Sequence, residues 1–163
     1  MEDPTVQLSF DEFYRQHRNE IGRALCFTLG DQSLGQEAVD EAMARACQRW
    51  GQLSGTENPA GWVYVVGRRW GLSWRTRRFR ERAREEKVAT DFSASAASSE
   101  DVLDLLEALK DLSTDQRTVV ACRFSLGLSV RETAQLLGIR EGTVKSRLAR
   151  AVDQLRVILE GSE

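Results

Sequence analysis

Apolar residues recur along the chain every three or four positions, interrupted by short polar or glycine-marked breaks, which is a helical rhythm throughout. From Phe10 to Leu29 the apolar positions are Phe10, Phe13, Tyr14, Ile21, Ala24, Leu25 and Leu29, and Gly30 supplies a stop. Asp31 to Ser33 can start a second helix, about Leu34 to Trp50. Leu34, Ala38, Ala42, Ala46 and Trp50 share its apolar face, and Gln36, Glu37, Asp40, Glu41 and Gln48 lie largely away from it. Gly51–Glu57 reads as a loop. Asn58-Pro59 then offers an N-cap and a first-turn proline. The third helix runs from Ala60 through about Arg78 and toward Lys87. Gly61, Gly67 and Gly71 each weaken it by about 1 kcal/mol relative to alanine. Such a cost points to close packing or to the close approach of a partner.

Residues 88–100, VATDFSASAASSE, are small and polar, and read as a flexible linker. Beyond them Val102, Leu105, Leu106, Leu109 and Leu112 predict an amphipathic helix. Ser113-Thr114-Asp115 caps a second, Gln116 to Leu126, which Gly127 closes. Ser129 starts a third, with Glu132 completing a capping box and Val130, Ala134 and Leu137 apolar. After Gly138-Ile139-Arg140 a last helix runs from Glu141 to about Leu159, with Val144, Leu148, Ala151, Val152 and Leu155 inward. The expected fold is all-α: two small helical bundles joined by a flexible linker, the C-terminal one containing a helix-turn-helix.

With 163 residues, 41% hydrophobic and 29% charged, the chain has enough apolar mass for one ordinary domain or two small ones. No apolar run is long enough to cross a bilayer. The start of the chain is acidic and lacks an export signal's apolar stretch, so the expected compartment is the cytoplasm. Cys26, Cys47 and Cys122 are far apart and His17 is the sole histidine, which nearly excludes a zinc site. No nucleophile elbow, P-loop or dinucleotide fingerprint occurs. No catalytic residue, metal or cofactor is expected, and an enzyme is disfavoured.

Net charge is only −2, but its distribution is uneven. Residues 1–67 hold 5 Lys/Arg against 10 Asp/Glu, whereas residues 68–87 hold 9 against 3. A basic stripe this concentrated is a footprint for polyanion binding or, more plainly, a solvated helix face. The segment Ser129–Arg150, SVRETAQLLGIREGTVKSRLAR, is the most specific signal. It joins a short helix to a second one through Gly138, where a positive φ is cheap. Val144 and Leu148 would pin the second helix to the first, and Ala134 is small enough to permit the crossing. Arg140, Thr143, Lys145, Ser146, Arg147 and Arg150 then remain on the outer side. That is what a recognition helix needs: side chains for base edges, flanked by hydroxyls and cations for phosphates.

Residues 112–156, LSTDQRTVVACRFSLGLSVRETAQLLGIREGTVKSRLARAVDQLR, resemble the fourth conserved region of bacterial sigma factors, most closely the compact extracytoplasmic-function (ECF) group. The helix-turn-helix alone also resembles LuxR-type regulators, so a DNA-binding regulator that never joins polymerase is the alternative. The N-terminal half arbitrates. QEAVDEAMARACQRW, residues 36–50, resembles the helix of sigma region two that docks on the β′ clamp helices of core polymerase. The resemblance places Glu37, Asp40 and Glu41 at its acidic positions. These three like charges share a face and are expected to repel one another until a cationic partner meets them.

NPAGWVYVVGRRWGLSWRTRR, residues 58–78, resembles the promoter-melting helix of the same region. It assigns −10 contacts to Asn58, Arg68, Arg69, Trp70, Trp74, Arg75, Arg77 and Arg78. Trp70 and Trp74 lie four apart, spaced either to stack on single-stranded bases or to pack on the first helix. Trp62 is expected in the core. Gly51–Glu57 falls where the family keeps a specificity loop. Arg69 stands where the family commonly has Asn, Ser73 where it has Asp, and Cys122 where it has Leu. The resemblance implies a region-2-like domain over 1–87, a linker over 88–100 and a region-4-like domain over 101–163 that reads the −35 element. It implies core RNA polymerase (β′ clamp helices and β subunit) and promoter DNA as partners, and it admits an anti-sigma factor.

Overall fold

Serine 9 starts the first helix by holding an extended backbone while its hydroxyl accepts the Glu12 N–H at 3.3 Å; the Glu12 carboxylate accepts the Ser9 N–H in return at 3.0 Å. Helix α1 (Phe10–Leu29) ends at Gly30, whose φ of 64° is left-handed and open to glycine at no steric cost. Asp31 caps α2 (Gln32–Gln48) by accepting the Leu34 N–H at 2.9 Å. The short turn folds α2 back along α1. The computed structural model describes residues 7–84 and 109–161. The linker expected at 88–100 and the residues Val102, Leu105 and Leu106 lie outside the described residues.

The expected loop after α2 is only partly a loop. Trp50–Leu53 form a single helical turn, α3, before the chain turns toward Asn58. Its anchor is Trp50, whose indole N–H donates to the Leu8 carbonyl at 3.0 Å and whose ring lies 4.7 Å from Phe13 and 5.5 Å from Phe10. Helix α4 (Pro59–Arg84) is capped by Asn58, whose Oδ1 accepts the Gly61 N–H at 2.9 Å. It buries Val63 and Tyr64 fully. A methyl group at Gly67 would stand 2.7 Å from Leu25 Cδ1, and one at Gly71 2.5 Å from Leu29 Cδ1. These glycines let α4 lie closely on α1, which is the close packing their helix cost implied.

In the C-terminal half, Ser113 and Gln116 form a capping box for α5 (Thr114–Val120). The helix expected to run on to Leu126 instead widens into a π-helical turn, Ala121–Ser125, closed by the Leu126 N–H on the Ala121 carbonyl at 3.0 Å. The Leu128 N–H reaches the Cys122 carbonyl at 3.0 Å, so the wider turn joins the following bend instead of stopping cleanly. Ser129 and Glu132 form the capping box of α6 (Val130–Leu137), and Gly138 ends it at φ 66°. Helix α7 (Glu141–Glu160) completes the chain. Val144 and Ala151 are fully buried on it. Val152, expected inward, is 42% exposed, because a helix turns about 100° per residue and Ala151 takes the inward place.

The described residues are all helical or connecting, and each half contributes helices to the core. Val119, Ala134 and Val144 make a small cluster under α6 and α7, edged by Val130, Leu137, Ile139 and Leu148. The larger cluster centres on Ile21, Leu25, Leu29, Ala38, Val39, Met43 and Tyr64, and it also takes in Ala121, Cys122 and Leu128. The two helical units therefore meet through buried apolar surface, with the π-helical turn seated against α1.

Candidate functional site

The helix-turn-helix is held as its sequence requires. Buried Ala134 and Val144 occupy the crossing of α6 and α7, and Leu148 packs beside them. This turns Arg140, Lys145, Ser146 and Arg150 outward, all exposed, with Thr143 and Arg147 partly covered. Ser146 donates its hydroxyl to the Thr143 carbonyl at 3.1 Å. Arg147 is the exception to an open cationic face: its Nη2 lies 3.7 Å from Asp115 Oδ2.

On α4 the expected −10 residues divide. Arg69, Arg77 and Arg78 are exposed. Trp70 and Trp74 are partly buried against the main core and also stack on each other, with ring centroids 6.4 Å apart and planes 25° from parallel. Arg78 lies over the Trp74 ring at 4.8 Å, a cation–π contact. The packing alternative is thus realised in part, since both rings lie partly buried against the main core. Trp62 is partly buried at the edge of the core. Asn58 is engaged at its Oδ1 as the α4 cap. Arg75 is half-buried, and desolvation lowers its pKa below the ordinary arginine value, with the nearby Asp31 charge opposing the shift. Arg68 donates from Nε to Thr118 Oγ1 at 2.8 Å and from Nη2 to Asp115 Oδ1 at 3.2 Å.

The acidic residues of α2 sit together on an outward face, but the repulsion expected among them is offset within the chain. Asp40 accepts from Arg18 of α1 at 2.8 Å, a contact that raises the Arg18 pKa. Glu41 pairs with Arg45 one turn on at 3.1 Å. Glu37 is exposed. Arg18 reaches Asp40 from α1 and Arg45 reaches Glu41 from within α2, so the acidic face of α2 is bordered by two arginines.

Two residues that matter here carry no motif. Arg117 is 8% exposed and sits between the halves. Its Nε donates to the Thr28 carbonyl at 3.0 Å and its Nη1 to the Leu112 carbonyl at 3.1 Å. Burial lowers its pKa, and the neighbouring Arg75 lowers it further. Asp115 reads in the sequence as a first-turn acid, yet it holds two arginines from different helices. Its partner Arg68 is 47 positions away, beyond any local periodicity. Among the described residues no group of His, Cys, Asp or Glu side chains could hold a metal, and no helix is long and apolar enough to cross a membrane.

The profile of the family described as Sigma-70, region 4 matches residues 103–155. The ECF RNA polymerase sigma factor SigL of Mycobacterium tuberculosis is 32% identical over 155 residues, which span 90% of this chain and 86% of SigL. The chain belongs to the ECF sigma factor family. Another relative, the RNA polymerase sigma-E factor of Streptomyces antibioticus, is 31% identical over 157 residues, 94% of this chain and 86% of that protein. The fold is shared with the sigma factor RpoE of Bartonella quintana, solved in complex with the anti-sigma factor NepR. That likeness has a TM-score of 0.82 at 22% identity and covers 93% of this chain and 96% of RpoE. This ECF sigma factor is a transcription initiation factor. The likeness runs through α1–α4 as well as the helix-turn-helix, so a regulator sharing only the latter is not favoured.

Proposed function

We propose that this ECF sigma factor docks on core RNA polymerase through Glu37, Asp40 and Glu41 of α2, opens the −10 element with α4, and reads the −35 element as duplex with α7. The observation that carries this reading is the α6–α7 crossing, whose buried Ala134 and Val144 leave Arg140, Lys145, Ser146 and Arg150 on one open face. Arg147 and Arg150 have the reach and the donor fork to take guanine edges in pairs. Lys145, Ser146 and Thr143 suit phosphates. On α4, Arg69, Arg77 and Arg78 would hold the backbone of an opened strand while the outer edges of Trp70 and Trp74 meet its bases. Base–aromatic stacking contributes roughly 1–3 kcal/mol per base, enough to offset an unstacking cost of a few kcal/mol per step. Binding thus drives melting, with no covalent chemistry.

The partners of this reading are the β′ clamp helices, the β subunit and promoter DNA, in the cytoplasm, with an anti-sigma factor as regulator. NepR on the fold neighbour supports the last of these. Region-2-like and region-4-like domains over 1–87 and 101–163 fit the division of labour. The docking step is tested in the full chain by Glu37→Gln, Asp40→Asn and Glu41→Gln together. Core-polymerase affinity should fall several-fold and lose part of its salt dependence, while binding to duplex DNA stays unchanged. Normal polymerase affinity in this variant would remove α2 from the docking surface.

A further inference from the structure

One carboxylate in this protein stands between arginines of its two halves. Asp115 Oδ1 takes the Nη2 of Arg68 at 3.2 Å, and its Oδ2 lies 3.7 Å from the Nη2 of Arg147. Arg68 belongs to α4, the helix assigned to the −10 element, and Arg147 to α7, assigned to the −35 element. An anionic group that offers one oxygen to each of two guanidinium groups resembles the way arginine also takes a phosphate. The contact is reinforced by Arg68 Nε on Thr118 Oγ1 at 2.8 Å and by Arg117 Nε on the Thr28 carbonyl at 3.0 Å.

The two elements cannot both be read in this arrangement. Their names place them roughly 25 base pairs apart, or roughly 85 Å of duplex at 3.4 Å per pair. Arg68 and Arg147 here meet on a single carboxylate. Promoter binding therefore requires the halves to separate, and separation releases both arginines at once. We propose that Asp115 is an internal phosphate mimic that clasps Arg68 and Arg147, holds the free chain closed, and competes with promoter DNA for both. The proposal rests on the α4 and α7 assignments above. Charged and hydrogen-bonded groups share the interface with an apolar patch of Ala121, Cys122, Leu126, Leu128, Leu136 and Leu137, the mixed character of surfaces between domains that move apart. Asp115 is 58% exposed at its side chain, so competing anions can reach it. The acidic face of α2 is not part of the clasp: Glu37 and Asp40 are exposed while the halves are closed. Polymerase docking can thus precede opening.

The test uses the full chain with Asp115→Lys, the milder Asp115→Asn, and Asp153→Lys as a control. Asp153 is exposed on α7, so its replacement adds the same charge without touching the clasp. Small-angle scattering reads the radius of gyration, and a fluorescent 25-base-pair duplex reads DNA affinity. The parent and Asp153→Lys should be compact at low salt. Asp115→Lys should be larger by several ångströms and bind duplex several-fold more tightly than Asp153→Lys, with Asp115→Asn shifted in the same direction. An expanded parent, or an Asp115→Lys chain with the size and affinity of the control, overturns the clasp. Expansion without tighter binding overturns it also. If no variant binds duplex, the assignment of α7 fails, and the scattering still decides whether Asp115 closes the chain.

Discussion

At Gly35 α2 lies hard against α1, and an added methyl group there has nowhere to go. A Cβ at this position would lie 2.5 Å from Cys26 Cα, 2.5 Å from its Sγ and 2.6 Å from its backbone nitrogen. Carbon pairs settle at about 3.5–4.0 Å, so α2 would have to retreat by roughly 1 Å. At Gly67 the nearest atom is the end of a Leu25 side chain, which can rotate away. At Gly35 two of the three atoms are backbone. Overpacking by one methyl costs about 1–3 kcal/mol, and the backbone obstacle puts Gly35→Ala at the upper end. Alanine's better helix propensity returns about 1 kcal/mol. The net expectation is a loss of about 2 kcal/mol, or a fall in Tm of about 4–8 °C for a chain of this size. Thermal and urea denaturation measure it. Gly142→Ala is the internal control, since nothing stands within 4 Å of its Cβ position and it should be neutral or stabilising. A Gly35→Ala protein as stable as its parent would refute the close α1–α2 approach.

Three further outcomes are expected. Arg147→Ala should lose about 1–3 kcal/mol on a preferred −35 duplex and relax discrimination there, whereas Lys145→Ala should weaken all duplexes alike and lower the salt slope by about one unit; equal binding of every −35 variant by Arg147→Ala and the parent would cancel its base-reading role. In a thiol-labelling time course, exposed Cys47 should react first. Cys26, whose pKa burial raises, should follow, and Cys122, pushed up to about 12 by burial, should wait for unfolding. The Ser9 and Ser129 backbone N–H groups hold the Glu12 and Glu132 carboxyls below their ordinary value of 4.5. Each folded pKa lies under the unfolded one, so the capping contribution is complete above about 4.5 and is lost as pH falls through the folded values. Melts across that range should show Glu12→Gln with Glu132→Gln losing less stability on acidification than the parent.

What could be read from the sequence was what local chemistry encodes. Gly30, Asn58, Ser129 and Gly138 act within three or four residues of themselves, so the stop of α1, the start of α4 and the helix-turn-helix were all legible. The Val144 and Ala134 pairing was legible because two amphipathic faces joined by a short turn have one way to meet. The surprises depend on contacts across long separations. Trp50 becomes the anchor of α3 only because Leu8 and Phe13 come back beside it. The acids of α2 looked like a repulsive cluster because Arg18 lies on another helix. Arg117 and Asp115 showed nothing but a charge in a capped helix, since Thr28, Arg68 and Arg147 reach them through tertiary packing alone. The π-helical turn likewise has no marker in VVACRFS, whose apolar spacing serves either helix.

Transcription itself tests the central claim most directly. Core RNA polymerase from a bacterium that carries this chain is given a pool of that organism's genomic fragments, and run-off products are sequenced with and without the protein. The account predicts transcripts that start at a defined set of sites only when the protein is present. They should fall sharply with Arg147→Ala and with the triple amide variant of Glu37, Asp40 and Glu41. Initiation no different from core polymerase alone, under conditions where the protein binds duplex DNA, would contradict the account.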